Sequence, residues 1–385
     1  MSAPDLPEPS LDAEHASRTL SLHIAARIEA AGGWLPFIEF MDMALHLPGL
    51  GYYAGGSLKF GPAGDFVTAP ELTPLFGQAL ARQVAQILAV LPAPTLLEVG
   101  AGSGRLAADL LRALEALDAL PERYAILELS GELRARQRET LVAEVPHLAE
   151  RVVWLDALPE SITGCVVANE LLDALPTHAV AWRPEGPMER GVTLADGGFA
   201  WAERPAAGLL AETMASLPVV APYESEIGLP ARAWVAAWGS RLERGALLLI
   251  DYGLPRHELY HPLRNHGTLR CHYRQRSHDD PFWWPGLSDI TSHVDFTAIA
   301  EAGFAAGLDV LGYASQAAFL IDCGIGELLM ARQQAGGEPG LRASGAAQML
   351  LAPGEMGELF KVLALGRGIA EPLLGFRRGD RRHAL

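Results

Sequence analysis

Four polar positions in this 385-residue chain stand where an apolar run ends: Glu98, Glu128, Asp156 and Asn169. Glu98 lies in Leu96-Leu97-Glu98-Val99, and Gly100-Ala101-Gly102-Ser103-Gly104 follows before Arg105-Leu106-Ala107-Ala108-Asp109-Leu110-Leu111. This reads as a strand, a glycine-rich turn and a helix. Glycines at alternate positions let the backbone approach a ligand with no Cβ in the way. The spacing G-x-G-x-G differs from the dinucleotide pattern G-x-G-x-x-G, whose first helical turn cradles a pyrophosphate. S-adenosylmethionine has no phosphate; it carries an amino group, a sulfonium charge and a ribose diol, which favour a carboxylate at the strand end. We read the turn as the cofactor loop of a methyltransferase, against the competing reading of an ordinary glycine-rich turn.

The elements around these residues alternate. Strands fit 95–99, 123–128, 151–155, 164–168 and 246–251, and helices fit 104–118 and 131–144. Such alternation predicts a parallel sheet with helices on both faces. Ligands of open parallel sheets sit at the carboxyl ends of the strands. The second strand ends at Glu128, 24 residues past Gly104, where an acid can take both ribose hydroxyls. The third ends at Asp156, suited to an adenine edge. The fourth runs into Asn169-Glu170-Leu171-Leu172-Asp173-Ala174-Leu175-Pro176, which places an amide and two carboxylates where a methyl group would be transferred. Methyl transfer is an in-line displacement, so positioning and the nucleophile's proton dominate. Carboxylates would hold a guanidinium nucleophile. The competing reading makes Asn169 and Asp173 helix caps and Pro176 a helix stop.

Other segments are organised around this core. Residues 17–45 show helical periodicity through Leu20, Ile24 and Ile28, broken by Gly32-Gly33 and Pro36; residues 46–70 read as loop. Thr68-x-x-Glu71 matches a capping box for a helix running to about residue 90. Residues 178–245 are too long for a simple crossover. Their short strands (179–182, 190–194, 199–202) and a helix over 230–243 suggest an insertion near the pocket. A helix near 294–306, a strand at 308–313 and a late strand at 360–365 complete the pattern.

Composition excludes several classes. The net charge of −16 argues against nucleic acid as a partner. No run approaches the roughly 20 apolar residues of a membrane span. The acidic N-terminal stretch shows no targeting segment. Cys165, Cys271 and Cys323 are isolated, which suits a reducing, cytoplasmic setting and argues against a structural zinc. His257-Glu258-Leu259-Tyr260-His261 fits the zinc-protease pattern H-E-x-x-H. Pro255 and Pro262 leave room for less than two helical turns, so no metal is expected and a pocket loop is the preferred reading. Phe282-Trp283-Trp284-Pro285 reads as packing, and the basic run Arg377 to Arg382 as a disordered tail.

Eight ordered segments carry a family likeness. They are Gly64-Asp65-Phe66-Val67-Thr68-Ala69-Pro70-Glu71 with Phe76-Gly77, Glu98–Gly104, Glu128-Leu129-Ser130 with Leu133 and Gln137, Ala168–Pro176, Ile250-Asp251-Tyr252-Gly253, Asp289–Phe296, Gln316–Leu320 and Met356–Leu363. Across about residues 20 to 366 the chain resembles the MidA-like methyltransferase family. The resemblance implies an α/β fold: a Rossmann-like class I methyltransferase sheet with helices on both faces, an N-terminal helical segment and an inserted subdomain. Together with the local element pattern it divides the chain into an N-terminal helical and lid segment (1–90), a core (91–177 and 245–370), an insertion (178–244) and a tail (371–385). It implies S-adenosyl-L-methionine held by Glu98, Gly100, Gly102, Gly104, Glu128 and Asp156, with Asp65, Thr68, Pro70 and Glu71 as a lid. For Thr68 and Glu71 the capping box stays equally open. Asn169, Glu170 and Asp173 fall at the transfer site, and Asp289, His293 and Tyr252 at the substrate pocket, with an N-cap the alternative for Asp289. Mitochondrial members methylate an arginine on a respiratory complex I subunit, so an arginine-bearing protein is the implied partner. A small-molecule O- or N-methyltransferase and a non-catalytic assembly factor remain alternatives, and the sequence leaves the oligomer undetermined.

Overall fold

A computed structural model describes residues 6–55, 68–334 and 337–385. The chain divides into two compact units. One comprises Met1–Phe66, Asp173–Arg232 and Leu254–Asp295; the other comprises Val67–Leu172, Ala233–Gly253 and Phe296–Leu385.

In the second unit, apolar runs form β1 (Thr95–Val99), β2 (Arg123–Leu127), β3 (Val152–Leu155), β4 (Ile162–Asn169), β5 (Leu242–Leu254), β6 (Asp309–Ser315) and β7 (Phe360–Arg367). They lie side by side in the order β6-β7-β5-β4-β1-β2-β3. Pairing is parallel from β5 to β3, and β7 runs antiparallel between β5 and β6. The late strand thus forms an antiparallel pair with β6 at the sheet edge. Cys165, Val167, Leu248 and Ile250 enter one core with Phe76, Leu80, Leu106 and Leu110. The alternate residues Val166, Leu247 and Leu249 are buried as well. Strands buried on both faces read as continuous apolar runs, which is why the sequence showed them clearly.

Register sets the functional edge. Val99 stands opposite Leu127 and Ala168, Leu127 opposite Leu155, and Asn169 opposite Ile250. The carboxyl ends of five adjacent strands are therefore level. The residues that follow (Gly100, Glu128, Asp156, Glu170 and Asp251) emerge along one margin, where ligands of open sheets bind.

The expected single helix from the Thr68 capping box is two helices: Ala69–Leu72, then α1 (Pro74–Leu88). Pro74 disfavours helical backbone at Thr73. Thr73 is extended at ψ 143° and caps α1 instead, its hydroxyl accepting from Leu75 N–H at 3.3 Å. The helices after β1 and β2 are α2 (Arg105–Ala116) and α3 (Gly131–Glu144). The helix expected over 230–243 ends at Ala237, and β5 begins at Leu242.

The first unit joins segments far apart in sequence. Leu35 and Pro36 pair with Val192 and Gly191, in a sheet with His178–Arg183, Gly198–Pro205 and Tyr223–Ile227. Helices Leu11–Ala30 and Phe37–His46 bury Leu20, Ile24, Ile28, Phe37 and Phe40 in a core with Val192, Cys271 and Ile290. The N-terminal helices and residues 254–295 therefore belong with the inserted strands. The expected limits of 1–90, 178–244 and 245–370 do not follow this division, because they were drawn from local pattern and these contacts are non-local.

The expected tail over 371–385 is packed within the second unit. Leu373 and Phe376 are buried, Phe376 lies 5.3 Å from the Phe319 ring, and Arg378 pairs with Asp322 at 2.6 Å. Arg381 pairs with Glu358 and Arg382 with Asp380 as well, and these partners override the reading as disorder. Among the described residues no helix is long and apolar enough to cross a membrane.

Candidate functional site

Gly100, Gly102 and Gly104 have φ of +71°, +51° and +83°, backbone that a Cβ disfavours. The turn is tied down at several points. Gly100 N–H donates to Leu127 O at 3.1 Å, and Gln137 Nε2 donates to Gly102 O at 3.1 Å. Thr140 Oγ1 donates to Ser103 O at 2.7 Å, and the Ser103 hydroxyl donates to Glu71. Glu71 thus reaches the glycine turn, whereas Thr68 makes no side-chain cap bond. A Cβ at Gly104 would come within 3.0 Å of Gln137 Cα, on α3. Gly104→Ala is expected to cost about 1–3 kcal/mol in an unfolding titration; an unchanged midpoint would show that the turn tolerates a side chain.

Glu98 is 2% exposed and accepts the Tyr124 hydroxyl at 2.6 Å. Burial pushes its carboxyl up to about 7, the Tyr124 hydrogen bond pulling the other way. The folded state then binds more protons than the unfolded state between the ordinary value of 4.5 and about 7. Stability falls as pH rises through that window and stays lower above it. Glu98→Gln keeps an acceptor for Tyr124 and cannot ionise. It is expected to exceed the wild type by about 1–3 kcal/mol near pH 8, with the gap closing towards pH 4.5. Urea titrations at both ends of that range check this; an equal gap at both would contradict it.

Glu128 is 9% exposed, and its carboxylate accepts Ser130 N–H at 2.9 Å and Gln137 Nε2 at 3.1 Å. Burial is the main cause of its raised pKa, opposed by these hydrogen bonds. A carboxylate has about four lone-pair sites, so capacity remains for a ligand diol. Leu129 beside it is 77% exposed and offers an apolar surface. Asp156 is placed in solvent, its side chain 89% exposed, and pairs with Arg134 at 2.7 Å. Arg134 also donates to Glu128 O and Leu155 O, tying the ends of β2 and β3 together. Pro70 is buried, and Asp65 lies outside the described residues.

At the end of β4, Asn169 Nδ2 donates to Glu170 Oε1 at 3.1 Å. Asn169 Oδ1 is buried and has no hydrogen-bond partner among the described residues. Glu170 sits at φ +52° and no helix follows it before Pro176, so the capping reading of Asn169 and Asp173 is replaced by a tight turn. Tyr252, on β5, packs edge-on against Phe360 at 5.5 Å.

The first unit gathers other predicted residues. Ser292 N–H donates to Asp173 O at 3.2 Å, and the Tyr53 hydroxyl donates to Asp289 at 2.8 Å. Asp173 and Asp289 are each 4% exposed. The Tyr53 phenol is pushed well up, by burial first and then by Asp289, Tyr52 and Asp173. Asp289 opens the strand Asp289–Thr291, and the next helix starts at Phe296, so Asp289 is not its N-cap. His293 is anchored by its N–H to Thr268 Oγ1 at 3.0 Å. Sequence reasoning missed Tyr53, which sits in a glycine-rich stretch read as loop, and the bridging role of Gln137 at mid-helix.

The H-E-x-x-H segment does not build a metal-binding turn. Its helix is only Arg256–Leu259, His257 and Glu258 are exposed, and His261 caps the next turn by accepting Leu263 N–H at 3.2 Å. Among the described residues no group of three metal-ligating side chains occurs. Phe282 packs against Phe40 at 5.2 Å and Trp283 against Tyr273 at 4.9 Å.

Comparisons with known proteins agree with this arrangement. Residues 79–314 match the family profile described as "Putative S-adenosyl-L-methionine-dependent methyltransferase". A Drosophila melanogaster relative, named protein arginine methyltransferase NDUFAF7 homolog, mitochondrial, is 28% identical, over 96% of this chain and 91% of its own. The Mus musculus protein arginine methyltransferase NDUFAF7, mitochondrial, is 29% identical, over 89% of this chain and 83% of its own. A crystal structure from Burkholderia thailandensis, described as a "likely methyl transferase" bound to S-adenosyl-homocysteine, shares 51% identity. It matches with a TM-score of 0.96 over 99% of this chain and 100% of that one.

Proposed function

The chain belongs to the family of S-adenosyl-L-methionine-dependent methyltransferases, and from that premise we propose that it methylates an arginine guanidinium of a protein. The cofactor supplies an electrophilic methyl group on a sulfonium. The residues along the sheet margin suit such a group. Gly100 leaves backbone open beside the strand end, Glu128 keeps acceptor capacity for a diol, and Asn169 presents a buried acceptor oxygen without a partner among the described residues. Gly102, Gly104 and Glu98 are assigned to the same cofactor loop, and Thr68, Pro70 and Glu71 to its cover. Asp156, exposed beside Leu155, is assigned to the adenine edge.

The acceptor class rests on the two relatives named as protein arginine methyltransferases and on the acidic residues near the transfer position. Glu170 and Asp173 hold and orient the guanidinium, with Asp289, His293 and Tyr252 assigned to the same substrate. Arginine stays cationic over the working range. Its proton therefore leaves after the new N–C bond forms, and a carboxylate nearby eases that loss to solvent without acting as a strong base. We assign a respiratory complex I subunit as the acceptor, following the family resemblance. We assign the cytoplasm as the location, on the three buried free cysteines.

The test uses methyl-labelled S-adenosylmethionine, the purified protein and an extract from cells lacking it. Label in the protein fraction supports the reading. Label confined to small molecules would make this a metabolite methyltransferase.

A further inference from the structure

The Asn169–Leu172 turn is unusual in one respect: Glu170, a residue with a Cβ, is held at φ +52°. This region is costly for a residue with a Cβ, which stays there when its surroundings over-determine it. What holds it comes from β5. Glu170 N–H donates to Ile250 O at 2.8 Å. The next residue on that strand, Asp251, is 1% exposed. Its Oδ2 accepts Leu171 N–H at 3.1 Å and Leu172 N–H at 2.8 Å, while Oδ1 accepts Tyr252 N–H at 2.9 Å. A carboxylate is acceptor-only, so it can receive all three donors; an amide would turn a donor towards one of them. Lys361 stands opposite Asp251 across the sheet and is also buried. The turn reaches the glycine loop too, because a Cβ on Gly100 would lie 3.2 Å from Leu171 Cδ1.

We propose that Asp251 is the positioning residue of this reaction: it fixes the turn that presents Asn169 and Glu170 and, through Leu171, sets that turn against the first glycine of the cofactor loop. The proposal rests on the methyl-transfer reading above. It assigns no contact of Asp251 with cofactor or acceptor; Asp251 acts through Glu170.

The experiment compares four full-length proteins: wild type, Asp251→Asn, Glu170→Gln and the double variant. Three quantities are read: the labelling rate at saturating cofactor, the affinity for S-adenosyl-homocysteine by calorimetry, and amide exchange of the peptide covering 169–173. Asp251→Asn is expected to slow labelling at least about 30-fold while affinity changes by less than about threefold. Its Leu171 and Leu172 amides are expected to exchange at least about tenfold faster. In the Glu170→Gln background it is expected to add less than about threefold, because both changes act on one turn. Losses that multiply, an affinity loss as large as the rate loss, or unchanged exchange would each overturn the proposal. Should Asp251→Asn fail to fold, Leu171→Ala tests the other end of the link. It keeps the N–H bonds and is expected to slow labelling more than about fivefold with cofactor affinity within about threefold; an unchanged rate overturns the proposal. If the wild type labels no arginine, the functional reading fails, while the affinity and exchange measurements still decide the role of Asp251.

Discussion

Glu128→Ala is expected to weaken S-adenosyl-homocysteine binding by at least about 100-fold. Hydrogen bonds to a charged group are worth roughly 1.5–3 kcal/mol each, and two ribose hydroxyls meeting one carboxylate would lose both. The site makes this carboxylate hard to replace. Ser130 N–H and Gln137 Nε2 already orient it, and Gln137 also holds Gly102 O. Loss of the carboxylate would therefore remove the proposed diol acceptor and free the side chain that braces the glycine turn. Glu128→Asp keeps the charge but withdraws it by one methylene, and an intermediate affinity is expected. Calorimetric titration of each folded variant, checked by circular dichroism, gives the answer. Affinity within about threefold of the wild type for Glu128→Ala would place the ribose elsewhere.

The second large effect concerns transfer rather than binding. Glu170→Gln and Asp173→Asn are each expected to cut methyl transfer at least about 100-fold while cofactor affinity stays within about threefold, the pattern of a group that acts after the cofactor is bound. Loss of cofactor binding in both variants would make these residues structural. Glu170→Gly separates the side chain from the backbone it sits on. Glycine adopts φ +52° without the steric cost of a Cβ, so this variant is expected to be about 1 kcal/mol more stable than the wild type and as inactive as Glu170→Gln. A function-bearing residue kept in a costly conformation gives this combination of gained stability and lost activity. A destabilised Glu170→Gly would show that the carboxylate, through its contact with Asn169, contributes more to the turn than the backbone strain removes.

What could be read from the chain follows the range of the forces involved. The parallel strands were visible because their residues are buried on both faces, and the register of Val99 with Leu127 and Ala168 then levels the polar residues that end them. The family likeness carried by the ordered motifs agrees with the matching profile over 79–314 and with the Burkholderia thailandensis structure. Local signals misled where a competing local rule was stronger. The Thr68 capping box lost to Pro74, which broke the helix one turn later. The basic C-terminal run looked disordered because its partners, Asp322 and Glu358, lie 56 and 23 residues away. Tyr53 meets Asp289 across 236 residues of chain, and the Asp251 carboxylate meets Leu171 and Leu172 across 80 and 79. No periodicity encodes such pairings. Asp251 was visible as part of Ile250-Asp251-Tyr252-Gly253, but its role depends on the turn from β4 arriving beside it.

Hydrolysis of the labelled protein decides whether the acceptor atom is a guanidinium nitrogen. Purified enzyme, methyl-labelled cofactor and the deficient extract are incubated, protein is precipitated and hydrolysed in acid, and the labelled amino acids are separated. Label is expected in methylarginine with the wild type and none above background with Glu170→Gln. Label in methyllysine, or label released as volatile methanol from a methyl ester, would contradict a guanidinium acceptor.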